Sequence, residues 1–159
     1  MIAENQKHKI CRILFVCTGN TCRSPMAEYY FNSECEKQGI KLLFAATSCG
    51  LAAESGVNMS ANAKKVLVLN NIADETGDIC FKSSQIDYEL VKKADIIYGI
   101  TVHHELRLKE EFPEFKDKIF SMPENIGDPY GGSLEVYEKC FENIKKSVDI
   151  IIKSLTEGN

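Results

Sequence analysis

Apolar residues along this chain fall into blocks whose spacing switches between the strand period and the helix period. Residues 10–16 are nearly continuous and rich in β-branched side chains, interrupted only by Cys11 and Arg12, which predicts a buried strand. A polar run, residues 17–24, follows at once. Ser24-Pro25 has the form of a helix start, with a hydroxyl for the orphan amides and proline in the first turn. Met26, Ala27, Tyr30, Phe31 and Cys35 then recur at helical spacing, and Gly39 supplies a stop. Residues 42–46 predict a second strand, left through a loop at 47–50. Residues 60–70 carry mixed signals and are read as helix, and 74–84 as loop.

Further along, residues 87–93 predict a short helix and 95–100 a third strand. Thr101 opens a helix whose buried side is assigned to Leu106, Leu108 and Phe112, with Pro113 at its exit. Residues 118–120 make a short fourth strand, and 124–132 are dense in turn formers. Ser133 begins the most strongly patterned helix. Tyr137, Cys140, Phe141, Ile144, Val148, Ile151, Ile152 and Leu155 lie on one face, with lysines and glutamates opposite.

Strands alternating with helices at this spacing predict an α/β fold, a single-domain four-stranded parallel sheet with helices on both faces. Residues 1–9 read as a flexible leader, 10–155 as the domain and 156–159 as a C-terminal tail. In such sheets ligands bind beyond the carboxyl ends of the strands. The loops after the first and third strands and the 124–132 turn are therefore expected to meet.

Composition narrows the classes. With 19 basic and 23 acidic residues, the chain lacks the concentrated positive charge of a nucleic-acid or anionic-membrane binder. No run approaches the roughly 18 apolar residues of a membrane span, and the start lacks a secretory core, which points to the cytoplasm. The seven cysteines are an odd number without a secretory signal, so a disulfide scaffold is not expected. Cys17 and Cys22 have no companion pair for zinc, and neither a metal nor a cofactor is expected.

The chemistry concentrates in Cys17-Thr18-Gly19-Asn20-Thr21-Cys22-Arg23-Ser24. Gly19 and Asn20 permit backbone angles that let successive amides turn inward around an anion. A helix start adds free amides and the positive end of its dipole. A free thiol is only a few per cent thiolate at neutral pH. Inward amides, the helix start and Arg23 each favour the thiolate, and the Ser24 hydroxyl is expected to donate toward the sulfur. Arg23 offers a planar fork for two phosphoryl oxygens. The competing reading is a cysteine packed at a strand end with an arginine covering the surface. A dinucleotide fold lacks its glycine spacing here.

Residues 16–28, from Val16 through Cys17, Arg23, Ser24 and Pro25 to Glu28, resemble the signature of the low-molecular-weight protein tyrosine phosphatases. Asp128-Pro129-Tyr130 resembles that family's second motif, and Thr47-Ser48-Cys49-Gly50 its short motif after the second strand. The resemblance implies a nucleophile at Cys17, phosphate binding by Thr18, Gly19, Asn20, Thr21, Cys22, Arg23 and Ser24, and a proton donor at Asp128. It also implies a substrate rim at Thr21 and Tyr130, a reversible disulfide between Cys22 and Cys17, and a phosphorylated protein as partner. The implied reaction runs through a phosphocysteine, without a metal. Taken alone, Asp128 could be only a turn former and Tyr130 only a packing anchor.

Threonine at position 21 and the double glycine at 131–132 are closer to a bacterial branch that dephosphorylates protein arginine. Phosphoarginine is therefore favoured over phosphotyrosine. An arsenate reductase would need paired cysteines in a later segment, where Cys80 stands alone. A non-catalytic phosphoryl-binding module would need neither Cys17 nor Asp128. His103 and His104 read as surface or helix-start residues. Lys82, Ser83 and Ser84 are candidates to border the pocket, and Tyr88 is either a rim or a surface aromatic. The oligomeric state is left open.

Overall fold

The computed structural model describes residues 8–74, 76 and 79–158. The expected leader lies mostly outside that range, as do three positions of the 74–84 loop and the last residue.

Strand β1 (Cys11–Cys17) lies at the centre and pairs in parallel with β2 (Phe44–Gly50) on one side. On the other side it pairs with β3 (Ile96–Gly99), which pairs with β4 (Ile119–Ser121), giving the order β2-β1-β3-β4. Alternate side chains of β1 enter two cores. Ile13 and Phe15 join Met26, Phe31, Val66, Phe141 and Val148 under α1 (Arg23–Lys37), α2 (Ala61–Leu69) and α5 (Leu134–Glu157). Leu14 and Val16 meet Val91 and Leu108 from α3 (Tyr88–Lys93) and α4 (Val102–Glu111) on the opposite face. The four-stranded parallel sheet with helices on both faces is as predicted.

The apolar stripe of α5 is buried as its spacing requires, with Ile144 and Val148 wholly enclosed. Each such side chain contributes about 1.5–3 kcal/mol over leaving it in water. The helix continues past Leu155 to Glu157, where Lys153 and Glu157 form an i,i+4 pair.

Three local expectations fail. The second strand is displaced: Leu42 and Leu43 are exposed, and residues 47–50, expected as loop, pair with Leu14 through Cys17. The pairing with β1 fixes this strand, and its small residues lie close under α1. Apolar count set the strand too early, so that only Phe44, Ala45 and Ala46 of the expected segment pair with β1. Next, α1 begins at Arg23 rather than after Ser24, with Cys22 at the cap and no side-chain cap bond. The Ser24 hydroxyl is engaged elsewhere, which leaves the first amides of the helix for another acceptor. Finally, Leu106 is 57% exposed, and His104 takes the buried place one turn before Leu108. Side-chain spacing at i and i+4 outweighs residue type there.

Candidate active site

Two of the three predicted loops, 17–23 and the 124–132 turn, meet in one pocket at the carboxyl edge of the sheet, and the segment after β3 joins them through the contact of His104 with Thr18. Cys17, the last residue of β1, is 3% exposed and lies in a pocket lined by residues 17–23 together with Asp128 and Tyr130. Ser24 does not line the pocket. It sits beneath it, wholly buried, with its hydroxyl 2.8 Å from Cys17 Sγ.

The loop is turned with its carbonyls outward. Those of Cys17, Thr18 and Thr21 accept from the amides of Leu51, Ala52 and Ser60 at 2.9–3.0 Å. Their opposite edge is thereby given to the pocket, and the Asn20 amide points at Cys17 Sγ, 3.3 Å away. Asn20 makes the turn at φ 55°, in the left-handed region that asparagine enters more readily than most residues. The loop also presses onto the end of β2. A Cβ on Gly50 would lie 2.4 Å from the Thr18 carbonyl oxygen, so only glycine allows this approach.

A directed set of hydrogen bonds supports the loop from below. Asn20 Nδ2 donates to Ser24 Oγ at 2.9 Å and to Ser48 Oγ at 3.0 Å. Ser48 donates in turn to Glu28 at 2.6 Å, while Asn20 Oδ1 accepts from the Ser84 amide at 2.9 Å. Because Asn20 donates to it, the Ser24 hydroxyl keeps its own proton for Cys17 Sγ or for the more distant Cys49 carbonyl, 3.4 Å away. Burial pushes the Glu28 carboxyl up to about 7, only partly offset by the bond from Ser48.

Arg23 is 7% exposed, and its guanidinium donates to the Ile126 carbonyl at 3.3 Å. Its other terminal nitrogen stands 3.7 Å from Asp128 Oδ2. The Asp128 side chain is 59% exposed, and its Oδ1 accepts from the Tyr130 amide at 3.1 Å. Tyr130 itself is 80% exposed at the mouth. Cys22 Sγ lies 3.2 Å from Tyr137 Oη and 3.4 Å from Ser60 Oγ, and 3.6 Å from Thr21 Oγ1. Burial and the Cys22 contact push the Tyr137 phenol up to about 12.

Of the residues left open by the sequence, Ser83 and Ser84 brace the loop region rather than line the pocket, through Val57, Gly50 and Asn20. Tyr88 packs on Phe115 at 5.5 Å between centroids, away from the pocket lining. The sequence pattern puts His104 at the surface or at a helix start. It does begin α4, but it is 2% exposed and reaches Thr18 Oγ1 at 2.9 Å. The signal that could have found it is Thr101-x-x-His104 directly after a β-strand, a helix-start pattern beside a site loop. Ser48, Glu28 and Gly50 were legible only as motif neighbours. Among the described residues no group of three or more His, Cys, Asp or Glu side chains could hold a metal ion, and no helix is long and apolar enough to cross a membrane.

Residues 12–159 match the family described as low molecular weight phosphotyrosine protein phosphatase. A protein-arginine-phosphatase from Bacillus subtilis is 31% identical over 150 residues, covering 90% of this chain and 95% of its own. The solved structure of an arginine phosphatase from Geobacillus stearothermophilus superposes with a TM-score of 0.81 at 34% identity, over 92% of this chain and 94% of that one. A low molecular weight protein tyrosine phosphatase from T. tengcongensis gives a TM-score of 0.81 at 35% identity, over 92% and 99%.

Proposed function

The chain belongs to the low molecular weight phosphotyrosine protein phosphatase family, making it a cysteine-based protein phosphatase, and on that premise we propose that it hydrolyses phosphoarginine in proteins. The proposed reaction has two steps. Cys17 Sγ, as thiolate, attacks phosphorus, and the S–P bond forms as the bond to the guanidino nitrogen breaks. Arg23 and the loop amides hold the phosphoryl oxygens, and Asp128 gives its proton to the leaving nitrogen. Water then attacks phosphorus, Asp128 takes its proton, and the S–P bond breaks to return thiolate and phosphate.

The arrangement that carries this reading is the burial of one sulfur at the pocket, between the Ser24 hydroxyl at 2.8 Å and the Asn20 amide at 3.3 Å, with Arg23 and Asp128 lining the same pocket 3.7 Å apart. An arginine fork and turned amides supply the positive potential that a metal supplies in other phosphoryl-transfer sites.

Substrate choice rests on Thr21. This residue lines the pocket, where a polar residue suits a guanidinium, and the arginine-phosphatase relatives support the same reading. Phosphotyrosine is the second reading, favoured by the exposed Tyr130 ring at the mouth, which can pack on an aryl group. Matched phosphoarginine and phosphotyrosine peptides, given to the parent and to Thr21→Ile, distinguish them. The substitution is expected to move relative kcat/KM toward phosphotyrosine by about tenfold, the size of one polar contact. A parent that strongly prefers phosphotyrosine, with a ratio unmoved by the substitution, sinks the phosphoarginine assignment.

A further inference from the structure

We propose that His104 is a positioning residue of the phosphatase reaction, its Nε2–H holding Thr18 and with it the first turn of the phosphate loop. The inference rests on the phosphatase reading and applies to either leaving group.

The donor inventory fixes the ring. His104 Nδ1 lies 3.2 Å from the Thr101 amide and 2.9 Å from Thr101 Oγ1. A backbone amide can only donate, so Nδ1 is the acceptor and carries no proton. The proton of the neutral ring is therefore on Nε2, which stands 2.9 Å from Thr18 Oγ1 and donates to it. Thr18 is thus held twice, by His104 at its side chain and by the Ala52 amide at its carbonyl, 3.0 Å away.

The backbone is built for this approach. A Cβ on Gly99 would come within 2.6 Å of the Glu105 amide and 2.9 Å of His104 Cβ. Glycine at the end of β3 lets the first turn of α4 close onto the strand and brings the ring to Thr18. Burial, with Arg23 next in effect, pushes the imidazole down to about 4, so the same tautomer persists across the neutral range. A charged ring would put a proton on Nδ1 against the Thr101 amide and break the cap.

The rival role is purely structural, the capping of α4, whose Thr101 and His104 exchange bonds. Capping uses Nδ1 and the loop contact uses Nε2, so substitution can separate the two. Asparagine places an acceptor near Nδ1 but falls short of Thr18, whereas glutamine places a donor near Nε2 and, as a residue that serves at this place in capping boxes, also keeps an acceptor for the Thr101 amide.

The test is steady-state turnover of an aryl phosphate together with thermal unfolding. His104→Asn is expected to keep the melting temperature and lower kcat about three- to tenfold with KM near the parent value. His104→Gln is expected to keep both the melting temperature and most of kcat. Thr18→Val is expected to lower kcat as His104→Asn does, and the double variant to lose no more than either alone. Activity that follows melting temperature instead, or a glutamine variant slower than the asparagine one, overturns the proposal, as does a double variant losing the product of the two effects. An inactive parent would sink the phosphatase reading itself, whereas an active parent with unimpaired Thr18→Val and His104→Asn sinks only this inference.

Discussion

The nucleophile loop and the acid loop face each other across one pocket, yet they are held in very different ways. Residues 17–23 are braced by amides from the segment after β2, by Asn20, Ser24 and Ser48 from below, and by His104 from the side. The side chain of Arg23 is 8% exposed against 59% for Asp128. Around residues 127–132 the Tyr130 amide donates to Asp128 and the Gly132 amide to the Pro129 carbonyl, and the hydrogen bonds from elsewhere reach the two ends, from Cys140 to the Gly127 carbonyl at 3.6 Å and from Asn62 to the Gly132 carbonyl at 3.3 Å, with Arg23 reaching the Ile126 carbonyl just before. The contrast follows from what each side does in the proposed reaction. Charge that must be stabilised on a phosphoryl group needs dipoles fixed beforehand. A proton donor needs only to reach a leaving group, and it must meet water in the second step.

If that division is right, losses should be graded by side. The largest belongs to Cys17→Ser, expected to lower phosphate release by about 10⁴-fold or more while leaving the fold intact, because a serine hydroxyl has no comparable anionic form at neutral pH. Release from an aryl phosphate at the parent rate would remove the covalent mechanism. Next comes Asp128→Asn, expected to cost about 10²–10³-fold on a poor leaving group such as a guanidine, and much less on nitrophenyl phosphate, which leaves without a proton. Equal losses on both substrates would mean that Asp128 acts on the loop through Arg23 rather than on the leaving group.

The fold was readable from sequence because its signals are additive. The α5 stripe, the blocks predicting β1 and β3, and the turn residues before Ser133 each point to one answer. The two site motifs were readable because nucleophile, arginine and acid carry chemistry in their residue types. The supports were not, for a physical reason. Ser48 and Glu28 act only through partners that the chain brings from 28 and 20 positions away. His104 acts through Thr18, 86 positions away. No local pattern of apolar spacing reports such contacts. The same blindness displaced β2, whose small residues are set by pairing rather than by hydrophobic content.

Asn20 tests the braced side at its junction. It makes the left-handed turn, donates to Ser24 and Ser48 beneath the sulfur and accepts from the Ser84 amide. Asn20→Ala is expected to lower kcat about 10- to 100-fold and to destabilise by about 1–3 kcal/mol in urea unfolding, from three unmet partners, Ser24, Ser48 and the Ser84 amide, and a strained φ. A variant with parent turnover would show that the outward carbonyl bonds suffice to shape the loop.

The mildest effect, and one of opposite sign, is expected at Glu28. Its folded value of about 7 lies above the ordinary 4.5, so the folded chain holds the proton more tightly than the unfolded one. The stability it supports is whole below about pH 4.5 and declines as pH rises to about 7, after which it is level. Glu28→Gln keeps an acceptor for Ser48 and cannot ionise. It should match the parent at acid pH and exceed it by roughly 1–3 kcal/mol at pH 8 in urea unfolding. His104 works the other way: its value of about 4 against the ordinary 6.5 withdraws stability as pH falls between those limits. The parent's own profile mixes the two, and only the difference between parent and variant isolates Glu28. A difference that stays flat from pH 5 to pH 8 would mean that the network under the loop carries the charge without penalty, and the braced side would then owe its rigidity to backbone bonds more than to this buried carboxyl.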